Sequence, residues 1–162
     1  MARQIIRKRA IVDDDFTPVA DDAELPASGK PLVSLARYTA SGGELHERFA
    51  ALGVRVPSST LPADIPELQR LALIAIEFPR FTDGRGYSVA RMLRDRCGFT
   101  GELRAVGWVL RDNLAYLERC GFDAFELAPG KPLDSALQAF GELSSSYQAT
   151  VDDKRPIYRR RR

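Results

Sequence analysis

The hydrophobic pattern is clearest between Leu73 and Leu127, where apolar runs of strand character alternate with segments of helical periodicity. The run from Leu71 to Phe78, LALIAIEF, is apolar on both faces, as in a central strand of a parallel sheet, and Glu77 is its exception. The order strand, helix, strand, helix, strand is typical of parallel α/β structure. This stretch therefore organises the predicted fold.

Helices are predicted where apolar residues recur every three or four positions. Their buried faces are Leu45, Phe49 and Leu52; Ala90, Leu93 and Cys97; Leu110, Leu114 and Leu117; and Leu133, Ala136, Leu137 and Phe140. The first helix is expected to open at Ser41 or Gly42 and to end at Gly53, since glycine is favoured just after a helix. A further, brief helix is expected to start at Asp64, because Pro66 and Glu67 follow it as in a capped first turn.

Five strands fit between these helices, at Pro31–Ala36, Val54–Val56, Leu71–Phe78, Leu103–Val106 and Ala124–Leu127. The predicted fold class is a single α/β domain over residues 31–148, with about five βα units and a mainly parallel sheet flanked by helices. Residues 1–30 are expected to be an extended segment in which residues 5–12 have strand character, and residues 149–162 a disordered basic tail. A partial barrel is the alternative; an open sheet is favoured because a closed TIM barrel takes eight strands.

Length and composition fit this interpretation. The chain has 162 residues, of which 44% are hydrophobic and 28% charged, as in an ordinary globular domain. It has no apolar run of about 20 residues that would span a bilayer, and no apolar segment of about 7–15 residues follows the basic N-terminus as in a signal peptide. We therefore expect a cytoplasmic protein with no membrane partner.

The net charge of +2 is unevenly distributed, because residues 154–162 carry six basic side chains and no acidic one. A basic tail on a mildly acidic body is not a nucleic-acid-binding surface, which would need a basic stripe with aromatic or helical context. The tail is therefore expected to be solvated, and nucleic acid is not expected as a partner.

One histidine, His46, and two cysteines, Cys97 and Cys120, are too few for a zinc site made of these residue types. No metal site is therefore predicted, and His46 is expected at the surface. The cysteines belong to a repeated tetrapeptide, RCGF, at Arg96–Phe99 and Arg119–Phe122. Each copy ends a predicted helix, so we interpret both thiols as small buried hydrophobes rather than a redox pair.

Ligands of open parallel sheets bind beyond the carboxyl ends of the strands. The loop after the strand Leu71–Phe78 combines glycines and charges there, in Thr82, Asp83, Gly84, Arg85 and Gly86. One interpretation is an anion cradle, in which backbone N–H groups and Arg85 face an oxyanion. The other is a tight βα turn, in which Asp83 caps the helix and Arg85 pairs with a carboxylate. The residues alone leave both interpretations open.

Four further residues are assigned to the binding site: Arg104, Arg111, Asp112 and Glu126. Arg111 and Asp112 begin the helix after the fourth strand, and Glu126 lies at the end of the fifth. Arg104 lies inside a strand, where a buried charge needs a partner. Glu77 or Glu126 is expected to supply that partner, either as core architecture or as part of the site.

Three segments together carry a resemblance: FPRFTDGRGYS at Phe78–Ser88, GELRAVG at Gly101–Gly107 and RCGFDAF at Arg119–Phe125. They resemble the bacterial domain-of-unknown-function family numbered 934. Members of that family are typically encoded beside assimilatory sulfite reductase and phosphoadenylyl-sulfate reductase, and are often labelled oxidoreductases. The sequence departs from the family pattern at Trp108 and Asn113, where the resemblance leads us to expect an acid and a glutamine.

The resemblance implies a role in sulfate assimilation and gives two hypotheses. The first is an accessory protein of sulfite reduction that binds sulfite reductase, or a sulfur oxyanion, at the carboxyl ends of the strands. The second is a small enzyme, an oxidoreductase, acting on a sulfur oxyanion or related metabolite, with Asp83 and Arg85 central. No resident cofactor motif is recognisable, so a redox role would depend on the cofactor of a partner.

Overall fold

The computed structural model describes residues 3–142, 149–151 and 153–155. These residues form the strands β1 (Gln4–Arg7), β2 (Ala10–Asp13), β3 (Phe16–Pro18), β4 (Lys30–Ser34), β5 (Gly53–Pro57), β6 (Leu73–Phe78), β7 (Glu102–Gly107) and β8 (Ala124–Phe125). The α-helices are α1 (Leu35–Arg48), α2 (Arg85–Asp95), α3 (Leu114–Arg119) and α4 (Leu133–Leu137). Short 3-10 turns lie at Pro62–Asp64, Leu68–Arg70, Arg111–Asn113 and Gln138–Gly141.

The strands form one mixed sheet in the order β2-β1-β8-β7-β6-β5-β4-β3. Strands β3 to β8 run parallel to one another, whereas β1 pairs antiparallel with both β2 and β8. The expectation of a mainly parallel sheet is therefore corrected to a mixed one. The reason lies in the segment 1–30, which supplies a hairpin whose turn holds Lys8 and Arg9 at φ 49° and 62°, and the edge strand β3.

Strands β3 to β8 are neighbours in the order in which they follow one another along the chain. Right-handed crossovers then place the connecting helices on one face of the sheet. The larger core cluster lies on that face and includes Ile74, Ile76, Leu93 and Leu103. Because side chains alternate along a strand, the other face, here called the inner face, carries a smaller cluster formed by Phe16, Leu32, Leu73, Ala75 and Val106.

The sheet is curled as a half-barrel, although its two edges keep it open. The edge strands β2 and β3 follow each other in sequence, with only Asp14 and Asp15 between them. Three Cα–Cα steps span at most about 11 Å, whereas seven strand spacings of about 4.8 Å separate the edges of a flat sheet. The chain itself therefore draws the edges together. The curled sheet is intermediate between the two predicted alternatives, an open sheet and a partial barrel.

The predicted strands Val54–Val56 and Leu103–Val106 lie inside β5 and β7. The start of α1 was predicted wrongly, since the helix begins at Leu35 instead of Ser41 or Gly42. Ser34 accounts for the earlier start, because its Oγ accepts a hydrogen bond from the backbone N–H of Arg37 at 3.1 Å. Ser41 instead kinks α1, with φ −142° and ψ 23°.

The brief helix expected from Asp64 is replaced by two 3-10 turns. The Asp64 carboxylate accepts from the backbone N–H of Leu61, which precedes it, at 3.2 Å, and Glu67 takes a left-handed φ of 44°. These contacts close a turn before Asp64 and leave no capped helix after it. His46, expected at the surface, is partly buried, and its Nε2 lies 2.9 Å from the hydroxyl of Tyr38.

The predicted basic tail falls mainly on residues 156–162, which lie outside the described residues. In the described first part of the predicted tail, the backbone N–H of Val151 donates a hydrogen bond to the carbonyl of Arg119 at 3.1 Å. This bond attaches the described part of residues 149–155 to the end of α3.

Candidate functional site

The loop Thr82–Gly86 lies at the junction of β6 and α2, and its last two residues, Arg85 and Gly86, are the first two residues of α2. Asp83 Oδ1 accepts from the backbone N–H and Nε of Arg85, at 3.1 and 3.0 Å, and Oδ2 accepts from Nη2 at 2.7 Å. Arg85 therefore folds back onto Asp83. Of the two interpretations of this loop, the geometry is that of the tight βα turn with a paired arginine.

The hydroxyl of buried Ser58, just after β5, donates a further hydrogen bond to Asp83 Oδ2 at 2.8 Å. The hydrogen bonds from Arg85, and then that from Ser58, hold the pKa of the Asp83 carboxyl well below its usual range. Asp83 is therefore a stable anion that ties together the ends of two neighbouring parallel strands. Such a carboxylate is suited to positioning Arg85 and poorly suited to accepting a proton near neutral pH.

The two glycines of this loop have different roles. A Cβ on Gly86 would lie 2.6 Å from Cζ of Phe78, so this glycine allows α2 to pack closely on β6. A Cβ on Gly84 would meet nothing within 4 Å. Thr82 is exposed beside them. Close packing therefore explains Gly86, while the surroundings of Gly84 and Thr82 are open.

Arg104 occupies the inner face of β7 and is completely buried, but its partners differ from those predicted. Its Nε donates to Glu102 at 2.7 Å, and its Nη1 and Nη2 donate to the two oxygens of Asp14 at 2.9 and 3.0 Å. Neither Glu77 nor Glu126 supplies the partner. The prediction failed because Asp14 reaches Arg104 only through the curl of the sheet.

Arg3 also pairs with Asp14, and we call Arg3, Asp14, Glu102 and Arg104 the Arg104 cluster. Burial opposes ionisation of Asp14, but the hydrogen bonds from Arg104 and Arg3 prevail and lower its pKa. The cluster joins the N-terminal segment to the middle of the sheet. Arg104 is therefore part of the architecture and is not accessible to a ligand.

The remaining predicted site residues do not converge on the Asp83 turn. Arg111 donates from Nε to the carbonyl of Ser135 at 3.0 Å and pairs with Glu142, so it attaches α4 and the turn that follows it. Glu126 pairs with Arg3 at 3.1 Å, and Asp112 is exposed. The structure therefore places the nine predicted site residues in separate groups. Among them, Thr82–Gly86 is the group that has several members beside an open surface.

An open groove lies at the carboxyl ends of β4, β5 and β6, and the sequence did not indicate it. Its volume is about 690 Å³, and it is lined by Ser34, Leu35, Ala36, Thr39, Ala40, Arg55, Pro57 and Glu77. Its walls are mainly apolar. The groove adjoins the Asp83 turn, because Pro57 lines it and Ser58, the next residue, holds Asp83.

One ion pair lies in this groove: Arg55 Nη2 donates to Glu77 Oε1 at 2.9 Å. Both residues point to the inner face, opposite to Val54 and Ile76 of the larger core. Arg55 faces Ala75 across the ladder, which makes Glu77 its diagonal neighbour. The signal was present in the sequence, since each is the charged residue of an otherwise apolar strand.

Three large apolar side chains are exposed on the loops at the same end of the sheet. Leu61 follows β5, Phe81 follows β6 and Trp108 directly follows β7, and 53%, 49% and 54% of their surfaces are exposed. We call these three residues the apolar rim. The three strands are adjacent and parallel, so the rim belongs to one side of the molecule.

Among the described residues, no group of three or more His, Cys, Asp and Glu side chains is arranged to hold a metal ion. None of the helices in those same ranges combines the length and apolar character of a membrane-spanning segment. Cys97 and Cys120 are not joined by a disulfide bond; Cys120 is buried and Cys97 is partly buried.

Fold and site together define a single-domain α/β protein with a curled mixed sheet, whose candidate site lies at the carboxyl ends of parallel strands. The chain belongs to the family described as bacterial protein of unknown function (DUF934), whose model matches residues 53–158. The match starts at β5 and includes the Asp83 turn, Arg55, Glu77 and the whole apolar rim. No curated protein and no solved structure matches the chain.

Proposed function

We propose that this protein is a cytoplasmic accessory protein of assimilatory sulfite reduction that acts by binding sulfite reductase through the apolar rim. The resemblance to its family suggests the partner. The observation that carries the binding role is the exposure of Leu61, Phe81 and Trp108 after three adjacent strands. Large exposed apolar side chains collected on one side of a soluble domain are typical of protein interaction sites.

The charges near the rim support a binding role over acid–base chemistry. Arg85 is held by Asp83 and Arg111 by Glu142, while Arg104 is buried in its cluster. These arginines already have carboxylate partners. A partner protein therefore gains more from the apolar side chains than from unpaired charge.

The test is the affinity of the purified protein for the assimilatory sulfite reductase of the same bacterium, measured by biolayer interferometry. In a variant with Phe81→Ser and Trp108→Ser, we expect affinity to fall by about tenfold or more, as for truncated interface aromatics. Tyr116→Ser is the matched control, because Tyr116 on α3 is 55% exposed and lies outside the rim. Equal affinity of the double variant and the wild type would refute this docking surface, and absence of binding would refute the partner.

A second candidate, a small enzyme acting on a sulfur oxyanion, is favoured by one observation. Arg85 is the first residue of α2 and largely exposed, and Asp83 is the one described carboxylate with which it pairs. An oxyanion that replaced Asp83 would meet both this guanidinium and the helix N-terminus. Sulfite should then raise the thermal midpoint of the wild type and leave that of Arg85→Ala unchanged; equal shifts in both proteins would exclude this site.

A further inference from the structure

The groove between α1 and the ends of β4–β6 differs from the apolar rim in shape and chemistry. It is concave, and its volume of about 690 Å³ falls in the range of roughly 300–1,000 Å³ typical of small-molecule sites. Leu35, Ala36, Ala40 and Pro57 provide apolar walls. A ligand that fills it therefore needs an apolar body, and a bare oxyanion would leave most of it empty.

The polar groups of the groove are few and defined. Arg55 has five N–H donors, and its described hydrogen bond uses one of them, on Nη2. Glu77 uses Oε1 for this bond, which leaves Oε2 as an acceptor. The pair therefore presents donors and an acceptor side by side, at the edge of an apolar wall.

The charges of Arg55 and Glu77 cancel, so the groove has no net preference for an anion. An uncharged ligand group that carries an acceptor next to a donor can bond to both residues, because its acceptor faces Arg55 and its donor faces Glu77. Planar heterocycles carry this arrangement on one edge and provide an apolar face for the walls. The hydroxyl of Thr39 donates to the carbonyl of Leu35 at 2.9 Å and keeps its acceptor lone pairs for a further polar group.

We propose that this groove binds a small planar heterocycle. The edge of the heterocycle forms hydrogen bonds with the Arg55–Glu77 pair, and its faces contact the apolar walls formed by α1 and Pro57. This inference does not depend on the proposed partner, since its site is separate from the apolar rim. Either can fail alone.

The experiment uses four probes that separate the ligand classes: riboflavin and adenosine as heterocycles, benzoate as an aromatic anion without a donor edge, and sulfite as an anion without an apolar body. Binding to the full chain is measured by ligand-observed NMR and by the shift of the thermal midpoint. We expect saturable binding of at least one heterocycle, and weaker or no binding of benzoate and sulfite.

Two variants locate the site. Ala40→Trp should fill the groove from an exposed position of α1 and abolish binding, whereas Ala50→Trp, exposed and outside the groove, should leave affinity unchanged. Arg55→Leu should lower affinity about tenfold or more, the loss expected when hydrogen bonds to a charged group are removed. Circular dichroism and the thermal midpoint verify that each variant is folded.

Several results would overturn the proposal. Heterocycle binding that survives Ala40→Trp would place the ligand elsewhere on the molecule. Tighter binding of benzoate than of both heterocycles would refute the ligand class. So would sulfite binding that is tighter than that of both heterocycles and is lost in Ala40→Trp, or no saturable binding of either heterocycle up to its solubility limit.

Discussion

The Arg104 cluster and the Arg55–Glu77 pair use the same chemistry on the same face of the sheet, but they differ in access to water. The side chains of Arg104 and Asp14 are 0% and 1% exposed, whereas those of Arg55 and Glu77 are 44% and 43% exposed. A buried ion pair is costly to break because one charge is left without compensation, while an exposed pair contributes little to stability. Removing the first arginine is therefore expected to destabilise the fold, whereas the second is accessible to solvent.

The difference arises from one crossing of the chain. Between β2 and β3, Asp14 and Asp15 cross from one edge of the sheet to the other, and the ring of Phe16 lies 5.7 Å from Cζ of Arg104. This segment covers the middle of β7 and excludes water from Arg104. Arg55 lies at the same level of the sheet, since Ala75 of β6 pairs with both Arg55 and Arg104, but it borders the open groove.

The largest expected effect is that of removing the buried arginine. Arg104→Ala leaves Asp14 and Glu102 without their main partner, and should lower the free energy of unfolding by about 3–5 kcal/mol. Urea denaturation followed by circular dichroism measures this change. The matched control is Arg55→Ala, for which we expect a loss below about 1 kcal/mol.

Equal losses of unfolding free energy in Arg104→Ala and Arg55→Ala would contradict the difference drawn between the Arg104 cluster and the Arg55–Glu77 pair. A second variant tests whether the charges themselves are needed: Arg104→Met with Asp14→Leu replaces the pair by apolar groups and should recover much of the stability. Failure to recover any would mean that the geometry of the hydrogen bonds, rather than uncompensated charge, dominates.

A smaller effect is expected at the two glycines of the Asp83 turn. Gly86→Ala would place a Cβ 2.6 Å from the buried ring of Phe78 and should destabilise by about 1–3 kcal/mol, the usual cost of overpacking. Gly84→Ala meets no atom within 4 Å at φ −87°, and should be neutral or slightly stabilising. Similar losses in thermal denaturation would contradict the packing role given to Gly86 alone.

The sequence allowed the β5–β8 part of the fold to be predicted, because its information is local. The apolar run of β6 and the helical periodicity of α2 determine their own structure, and the chain order of parallel neighbours follows from right-handed crossovers. The loop Thr82–Gly86 was placed correctly for the same reason. Its geometry, with Arg85 on Asp83, was one of two stated interpretations.

Two features escaped prediction: the partner of Arg104, which depends on a contact between distant parts of the chain, and the groove, which depends on a local helix cap. The partner of Arg104, Asp14, is 90 residues away in sequence, and no periodicity connects them. The groove depends on where α1 begins, and the cap made by Ser34 was overlooked in favour of Ser41 and Gly42. A side-chain cap after a strand was the available signal for that start.

A more modest prediction concerns Asp15, whose exposure lies between those of the two regions. Burial opposes its ionisation, but hydrogen bonds from Lys30 and Arg7 lower its pKa to about 2. Because the folded pKa is below the unfolded value of about 3.9, the stabilisation is complete above that value and is lost as the pH falls towards 2. The wild type should exceed Asp15→Asn by about 1 kcal/mol or less at pH 6, given that Asp15 is 40% exposed.

The two proteins should therefore converge in stability between pH 4 and about pH 2. Asp22→Asn, an exposed change between β3 and β4, is the control and should show no such convergence beyond the general acid response. A constant difference between wild type and Asp15→Asn across this range would show that the ion pairs of Asp15 do not govern the effect.

The smallest expected effect on stability is that of Glu77→Gln, and it tests the other side of the comparison. The substitution preserves size and removes charge from an exposed pair, so the free energy of unfolding should change by less than about 0.5 kcal/mol. If Arg55 and Glu77 serve a ligand, the same substitution should alter heterocycle binding while urea denaturation remains unchanged, because a Gln amide replaces one acceptor by a donor. A loss of unfolding free energy above about 1 kcal/mol would instead show that the Arg55–Glu77 pair has a structural role like that of the Arg104 cluster. The groove would then have no polar pair assigned to ligand binding.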